Sequence, residues 1–226
     1  MKTYWYLTRA SGSVALILLS LSVVIGIMAI GRVQSRGWPR FAIDGLHRSS
    51  SLLAVVFLLV HIGTAVLDSF APISLINAVI PFTGAYRPLW LGLGATAFDL
   101  LLAVAITSGL RVRLGHRVWR AAHWLAYGVW PVAVLHGLGT GSDVGQAWMT
   151  FVYLGCAAAV LLAGLARVSL GWPEHVRWRM GGLGVMAAFA LGVAVWLPRG
   201  PLAPHWAQRS GTPTTLLAPA RGRGQR

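Results

Sequence analysis

Residues 47–61 read HRSSSLLAVVFLLVH, with nine consecutive apolar residues before the second histidine. They lie inside a longer apolar block that covers residues 41–67. A helix of about 20 apolar residues is long enough to cross the hydrocarbon layer of a bilayer. The stretch therefore predicts a membrane-spanning helix that carries two histidines along its length.

The composition of the whole chain agrees with a membrane location. Of 226 residues, 56% are hydrophobic and only 11% are charged, and the mean hydropathy is +0.67. Soluble domains carry about 25% charged residues. The net charge of +14 comes mainly from arginines between apolar blocks, which favours anionic lipid headgroups and membrane topology over nucleic acid. An ordinary soluble enzyme is thus excluded.

Six apolar blocks are long enough to span a bilayer. They cover residues 11–31, 41–67, 89–110, 117–138, 147–170 and 182–198. We therefore predict an all-α membrane protein, a six-helix transmembrane bundle over residues 1–198. Residues 199–226 are rich in Pro, Gly and Arg without apolar periodicity, so they are predicted to be a disordered basic tail.

Arginines are concentrated in the first, third and fifth links between these blocks, while the second and fourth links hold almost none. Because positively charged loops stay on the cytoplasmic side, links one, three and five are predicted to be cytoplasmic and both termini extracytoplasmic.

Four of the seven histidines lie inside spans two and four: His47, His61, His123 and His136. An ionisable side chain in a membrane helix is costly and indicates function. Spans two and four run in the same direction, and the histidines lie six and twenty residues into span two and six and nineteen into span four. Two facing histidines at one depth suit an axially ligated haem. Each pair could therefore hold one haem, with His47/His123 and His61/His136 as the iron ligands.

The spacing of the two histidines on span four does not fit a straight helix. At about 100° per residue, a fourteen-residue separation returns to within roughly 40° of the starting face, whereas thirteen residues miss it by about 140°. Pro131 lies between His123 and His136 and can kink or rewind the helix. Alternatively, the two haems lie at different angles around span four. The sequence leaves both explanations open.

These histidines carry a family resemblance. The chain resembles the ferric reductase-like transmembrane domain, which ferric reductases, NADPH oxidases and the haem subunit of the bacterial methionine sulfoxide reductase system share, and it looks most like stand-alone actinobacterial members. In eukaryotic members, two helices with histidines thirteen or fourteen apart hold two stacked b haems. The matching patterns here are His47-x13-His61 and His123-x12-His136, and the resemblance covers about residues 4–170.

The resemblance implies a multi-pass protein of the bacterial plasma membrane that transfers electrons to an extracytoplasmic acceptor, such as ferric iron or a flavin domain. Reductases and oxidases fuse an FAD and NADPH module after the haem domain. Here a short link and one more apolar span follow residue 166, without a nucleotide-binding fingerprint. We therefore expect an oxidoreductase electron-transfer subunit that depends on a separate flavoprotein or a quinone donor.

Arginines near the span ends are candidates for binding the anionic haem propionates. Arg48 and Arg120 lie at the depth of the inner haem. Arg9 lies in a segment that resembles an Arg-containing stretch of NADPH oxidases close to the outer haem. Arg87 and Arg117 are further candidates.

Asp99, near the middle of span three, is expected to bond a ligand histidine, relay protons or form an interhelical hydrogen bond. Two other functions stay open for the whole chain. One is a transition-metal transporter or channel that uses the histidines, although such sites commonly add acids or thiols. The other is a non-catalytic membrane anchor for a partner subunit.

Overall fold

The structure is a computed structural model that describes residues 2–30, 39–169 and 174–217, and these residues form helices, turns and loops without a strand. The helices are α1 (Lys2–Ile30), α2 (Arg40–Leu67), α3 (Leu75–Val79), α4 (Pro88–Gly109), α5 (Arg111–His123), α6 (Ala126–Thr140), α7 (Ala147–Ser169), α8 (Val176–Trp196), α9 (Trp206–Arg209) and α10 (Thr214–Leu217). The prediction of an all-α protein is confirmed.

In the part of the chain that the structure describes, five helices are long and apolar enough to cross a membrane: α1, α2, α4, α7 and α8. Large apolar side chains on these helices are exposed, among them Leu52, Phe151 and Leu191 at 60%, 73% and 67%. Water would penalise such surfaces, whereas lipid solvates them. The chain is therefore an integral membrane protein.

The predicted fourth span, residues 117–138, is not one continuous helix. Its first part belongs to α5, a strongly amphipathic helix in which Arg111, Arg113, Arg117 and Arg120 are exposed. Its second part belongs to α6, and the two helices meet at Trp124 and Leu125. The expected count of six single spans is thus not confirmed.

The helices divide into two compact units. The first unit comprises Met1–Thr8, Ile62–Ser142 and Ala203–Arg226, and in it α4 packs against α3, α5 and α6. The second unit comprises Arg9–His61 and Asp143–Leu202, and in it α7 packs against α8.

Residues 199–217 form turns and the short helices α9 and α10, where the composition predicted disorder. The indole of Trp206 donates to the carbonyl of Gly139 over 3.1 Å, and the Thr212 side chain is buried. These tertiary contacts order a segment whose composition alone does not. Residues 218–226, together with Arg32 and Arg36 of the first link, lie outside the described residues.

Candidate functional site

The four histidines of the predicted sites differ from the other three in burial. His47, His61, His123 and His136 are half-buried, whereas His116, His175 and His205 are exposed. The four histidines predicted as ligands are thus the less exposed ones.

His47 is held in the second unit by a backbone carbonyl. Its Nδ1 lies 3.0 Å from the carbonyl oxygen of Ser22 on α1. A carbonyl oxygen only accepts hydrogen bonds, so Nδ1 carries the proton. Gly26 lies one helical turn after Ser22, and a Cβ atom there would lie 3.2 Å from Cε1 of the His47 ring. Because Gly26 has no side chain, the His47 ring has room to lie against α1.

Serines surround the same histidine. The hydroxyls of Ser22 and Ser51 lie 2.6 Å apart, and Ser51 donates to the carbonyl of His47 over 2.7 Å. Ser50 also donates to this carbonyl, over 3.1 Å. Ser51 thereby links the start of α2 to Ser22 of α1.

His61 has a similar position fourteen residues further along α2. A Cβ atom at Gly12 would lie 2.8 Å from Nδ1 of His61. Gly12 and Gly26 on α1 are thus fourteen residues apart, as are His47 and His61 on α2. The order is reversed, so that Gly12 matches His61 and Gly26 matches His47. Because two antiparallel helices meet at regular intervals, each glycine faces one histidine.

His136 repeats the arrangement of His47 in the first unit. Its Nδ1 lies 2.8 Å from the carbonyl oxygen of Trp90 on α4. Gly94 lies one turn after Trp90, as Gly26 lies one turn after Ser22, and a Cβ atom there would lie 2.5 Å from the His136 ring. Two unrelated helix pairs therefore use one local device, a carbonyl followed four residues later by glycine.

His123 is the last residue of α5, and its ring packs on the indole of Trp119 with centroids 5.1 Å apart. The turn after it is overwound. Backbone N–H groups of Trp124, Leu125, Tyr127 and Gly128 donate to carbonyls three residues earlier, the pattern of a 3₁₀ helix.

This overwinding resolves the thirteen-residue spacing. A 3₁₀ helix turns about 120° per residue and an α-helix about 100°. With about five residues overwound, thirteen residues turn through about 1,400°, as much as fourteen α-helical residues do. The accumulated rotation is thus close to that of the fourteen-residue spacing on α2. This supports local rewinding among the two explanations left open, at Trp124–Leu125 rather than at Pro131.

The histidine geometry suits metal ligation. When Nδ1 donates to a carbonyl, the neutral ring presents the lone pair of Nε2. A metal-bound histidine commonly donates its other ring N–H in this way, which fixes the tautomer and the orientation of the ring. His47 and His136 both meet this requirement, so these residues would suit the ligation of a haem iron through Nε2.

Within the described ranges, no group of three His, Cys, Asp or Glu side chains is arranged to hold a bare metal ion. Haem ligation does not require such a group, because the porphyrin supplies the other ligands of the iron.

Comparison with protein-family models identifies the family of this chain. The family model described as ferric reductase like transmembrane component matches residues 11–134. The chain belongs to this family. The match covers more than half of the chain and includes His47, His61 and His123, while His136 lies two residues beyond it. It supports a membrane electron-transfer role of the cytochrome type. No significant match was found among curated proteins or among solved structures.

The structure gives the candidate arginines different surroundings. Arg48 and Arg120 are exposed, whereas Arg9 forms an ion pair with Asp143. Arg87 is only 7% exposed, and its guanidinium donates to the carbonyls of Gly139 and Thr140 at the end of α6. These bonds engage Nη1 of Arg87 with the protein backbone, and its role toward a propionate stays a prediction. Arg117 is exposed as well.

Proposed function

We propose that this protein is a dihaem b-type membrane cytochrome that carries electrons across the bilayer. The observation that carries the proposal is the shared geometry of His47 and His136. Each imidazole donates Nδ1–H to a helix carbonyl one turn before a glycine, which fixes the neutral tautomer whose Nε2 atom can ligate a metal. The membership of the ferric reductase family supports haem as the group bound.

In this proposal, His47 and His123 ligate one haem, and His61 and His136 ligate the other. Each haem supplies a one-electron redox centre between the apolar helices. The chain's own residues keep the imidazoles in one tautomer and orientation. The backbone carbonyls of Ser22 and Trp90 hold two of the rings.

Propionate groups are anionic and bind best to arginine. Arg48 and Arg120 have exposed guanidinium groups and are the proposed propionate ligands of the His47/His123 haem. Arg9 is the proposed ligand for the other haem. Its five N–H donors can serve both Asp143 and a propionate.

The proposed direction of transfer follows the charge of the links. With links one, three and five in the cytoplasm, electrons enter at the His47/His123 haem from a separate flavoprotein or from membrane quinol. They leave from the His61/His136 haem to an extracytoplasmic acceptor, such as ferric iron or a flavin domain.

Single His→Ala variants test the pairing. The reduced spectrum and redox titration of purified His47→Ala and His123→Ala should lack the same haem, and those of His61→Ala and His136→Ala should both lack the other. His116→Ala, which removes an exposed histidine of α5, serves as the matched control and should keep both haems. Loss of different haems within either pair would contradict the assignment.

A further inference from the structure

We propose that the C-terminal segment, residues 203–217, positions the ligand histidine His136 through Trp206 and Thr212. The inference rests on the proposed function, because it concerns the haem that His136 would hold. The segment lies well beyond residues 11–134, which the family model matches, so it is a feature of this chain's own C-terminal region.

The first connection runs through Trp90. The carbonyl of Trp90 accepts the Nδ1–H bond of His136 over 2.8 Å. The indole of Trp90 lies directly on Gly139 of α6, where a Cβ atom would overlap it. The ring of Trp206 packs against the same indole with centroids 5.4 Å apart. Trp206 therefore restrains the residue whose carbonyl orients His136.

The second connection runs along α6. The indole N–H of Trp206 donates to the carbonyl of Gly139 over 3.1 Å, three residues after His136. The carbonyls at the end of a helix lack intrahelical partners, so this bond stabilises the last turn. Within that turn, the hydroxyl of Thr140 donates to the carbonyl of His136 over 2.7 Å. The segment thus holds the helix end that carries the ligand.

The third connection is the buried guanidinium of Arg87, immediately before α4. Its Nε donates to the hydroxyl of Thr212 over 3.0 Å, and its Nη1 donates to the carbonyls of Gly139 and Thr140. The backbone N–H of Arg87 donates to the carbonyl of Gly211 over 3.0 Å. One cation therefore joins the start of α4, the end of α6 and the C-terminal segment.

These contacts have an electronic consequence for a haem bound by His136. The Nδ1–H bond to a carbonyl increases the electron density of the imidazole and favours the oxidised iron. A Trp90 that is less restrained gives a longer and weaker hydrogen bond. Loss of the contacts of Trp206 should therefore raise the reduction potential of one haem and leave the other unchanged.

The test is an optical redox titration of full-length Trp206→Ala and Trp206→Phe, with EPR of the oxidised haems. Trp178→Ala is the matched control because Trp178 is 86% exposed on α8. For Trp206→Ala, we expect the ferrous-to-ferric ratio of one haem at fixed potential to rise about tenfold, which is about 59 mV for one electron. Trp206→Phe keeps a ring against Trp90 and should give a smaller rise.

The haem that shifts must be the one that His136→Ala removes. Unchanged potentials and EPR signals in Trp206→Ala would overturn the inference, as would an equal shift in Trp178→Ala or a shift of the other haem. If Trp206→Ala does not fold, Thr212→Val decides, since it removes only the acceptor for Arg87. It should raise the same potential, and an unchanged potential there would also overturn the inference. Wild-type protein without haem would contradict the proposed function instead.

Discussion

Substituting the glycines behind the histidine rings tests whether the rings need these spaces. Gly94→Ala would place a Cβ atom 2.5 Å from Cε1 and Nδ1 of His136. Ordinary contacts begin at about 3.4 Å, so the ring must move by about 1 Å. The 2.8 Å bond to Trp90 then exceeds the range of a hydrogen bond.

The cost follows from these distances. Overpacking of a tight contact costs about 1–3 kcal/mol, and the lost hydrogen bond adds about 1 kcal/mol. Together these costs amount to about 2–4 kcal/mol. This corresponds to a roughly 30- to 700-fold smaller population in which the His136 ring keeps its position. Gly12→Ala, with a contact of 2.8 Å, should cost less, and Gly26→Ala, at 3.2 Å, least.

Haem content per chain and the thermal unfolding midpoint measure this series. Gly155→Ala in α7 is the control, because its Cβ atom would meet nothing within 4 Å and alanine favours a helix by about 1 kcal/mol. We expect it to be neutral or stabilising. Equal haem content in all three variants, or the largest loss in Gly26→Ala, would refute the reasoning.

Three further predictions follow from other contacts. Pro131→Ala should leave both haems bound, since the overwound turn lies before this proline. Loss of a haem in this variant would show that Pro131, and not the overwound turn, aligns the two histidines. Asp143→Asn removes the ion pair with Arg9; the remaining solvent exposure of the two side chains and the retained amide oxygen limit the loss to about 1 kcal/mol. The Tm should fall by roughly 2–4 °C, and an unchanged Tm at low salt would contradict this. Arg87→Lys loses the planar fork and should cost about 3 kcal/mol, measured as a Tm decrease several times larger than for Asp143→Asn.

The spans could be predicted because the length of an apolar block is a strong signal. Five of the six predicted spans correspond to helices of spanning length, with most ends within a few residues of the expectation. The extra length of α1 at its start and of α8 before residue 182 was missed, since polar residues begin both helices. The break at Trp124–Leu125 was also missed. A local change from α-helical to 3₁₀ hydrogen bonding does not alter the number or spacing of apolar residues, so hydropathy does not reveal it.

Part of the site was present in the sequence and part was not. The matched spacing of Gly12 and Gly26 with the two histidines of α2 is readable in the sequence, but its meaning depends on the contact of α1 with α2. The pairing of Gly94 with His136 depends on the contact between α4 and α6, which no spacing within one helix reveals. For the same reason, the order of residues 199–217 could not be predicted, since Trp206 depends on Trp90 and Gly139 far away in the chain.

The central claim is tested most directly by quantifying haem in the purified wild-type protein. Pyridine haemochrome analysis, combined with a reduced-minus-oxidised spectrum after expression in a host that makes ample haem, should give two non-covalent b haems per chain. A chain that is colourless under these conditions, or that binds a single haem, would contradict the account.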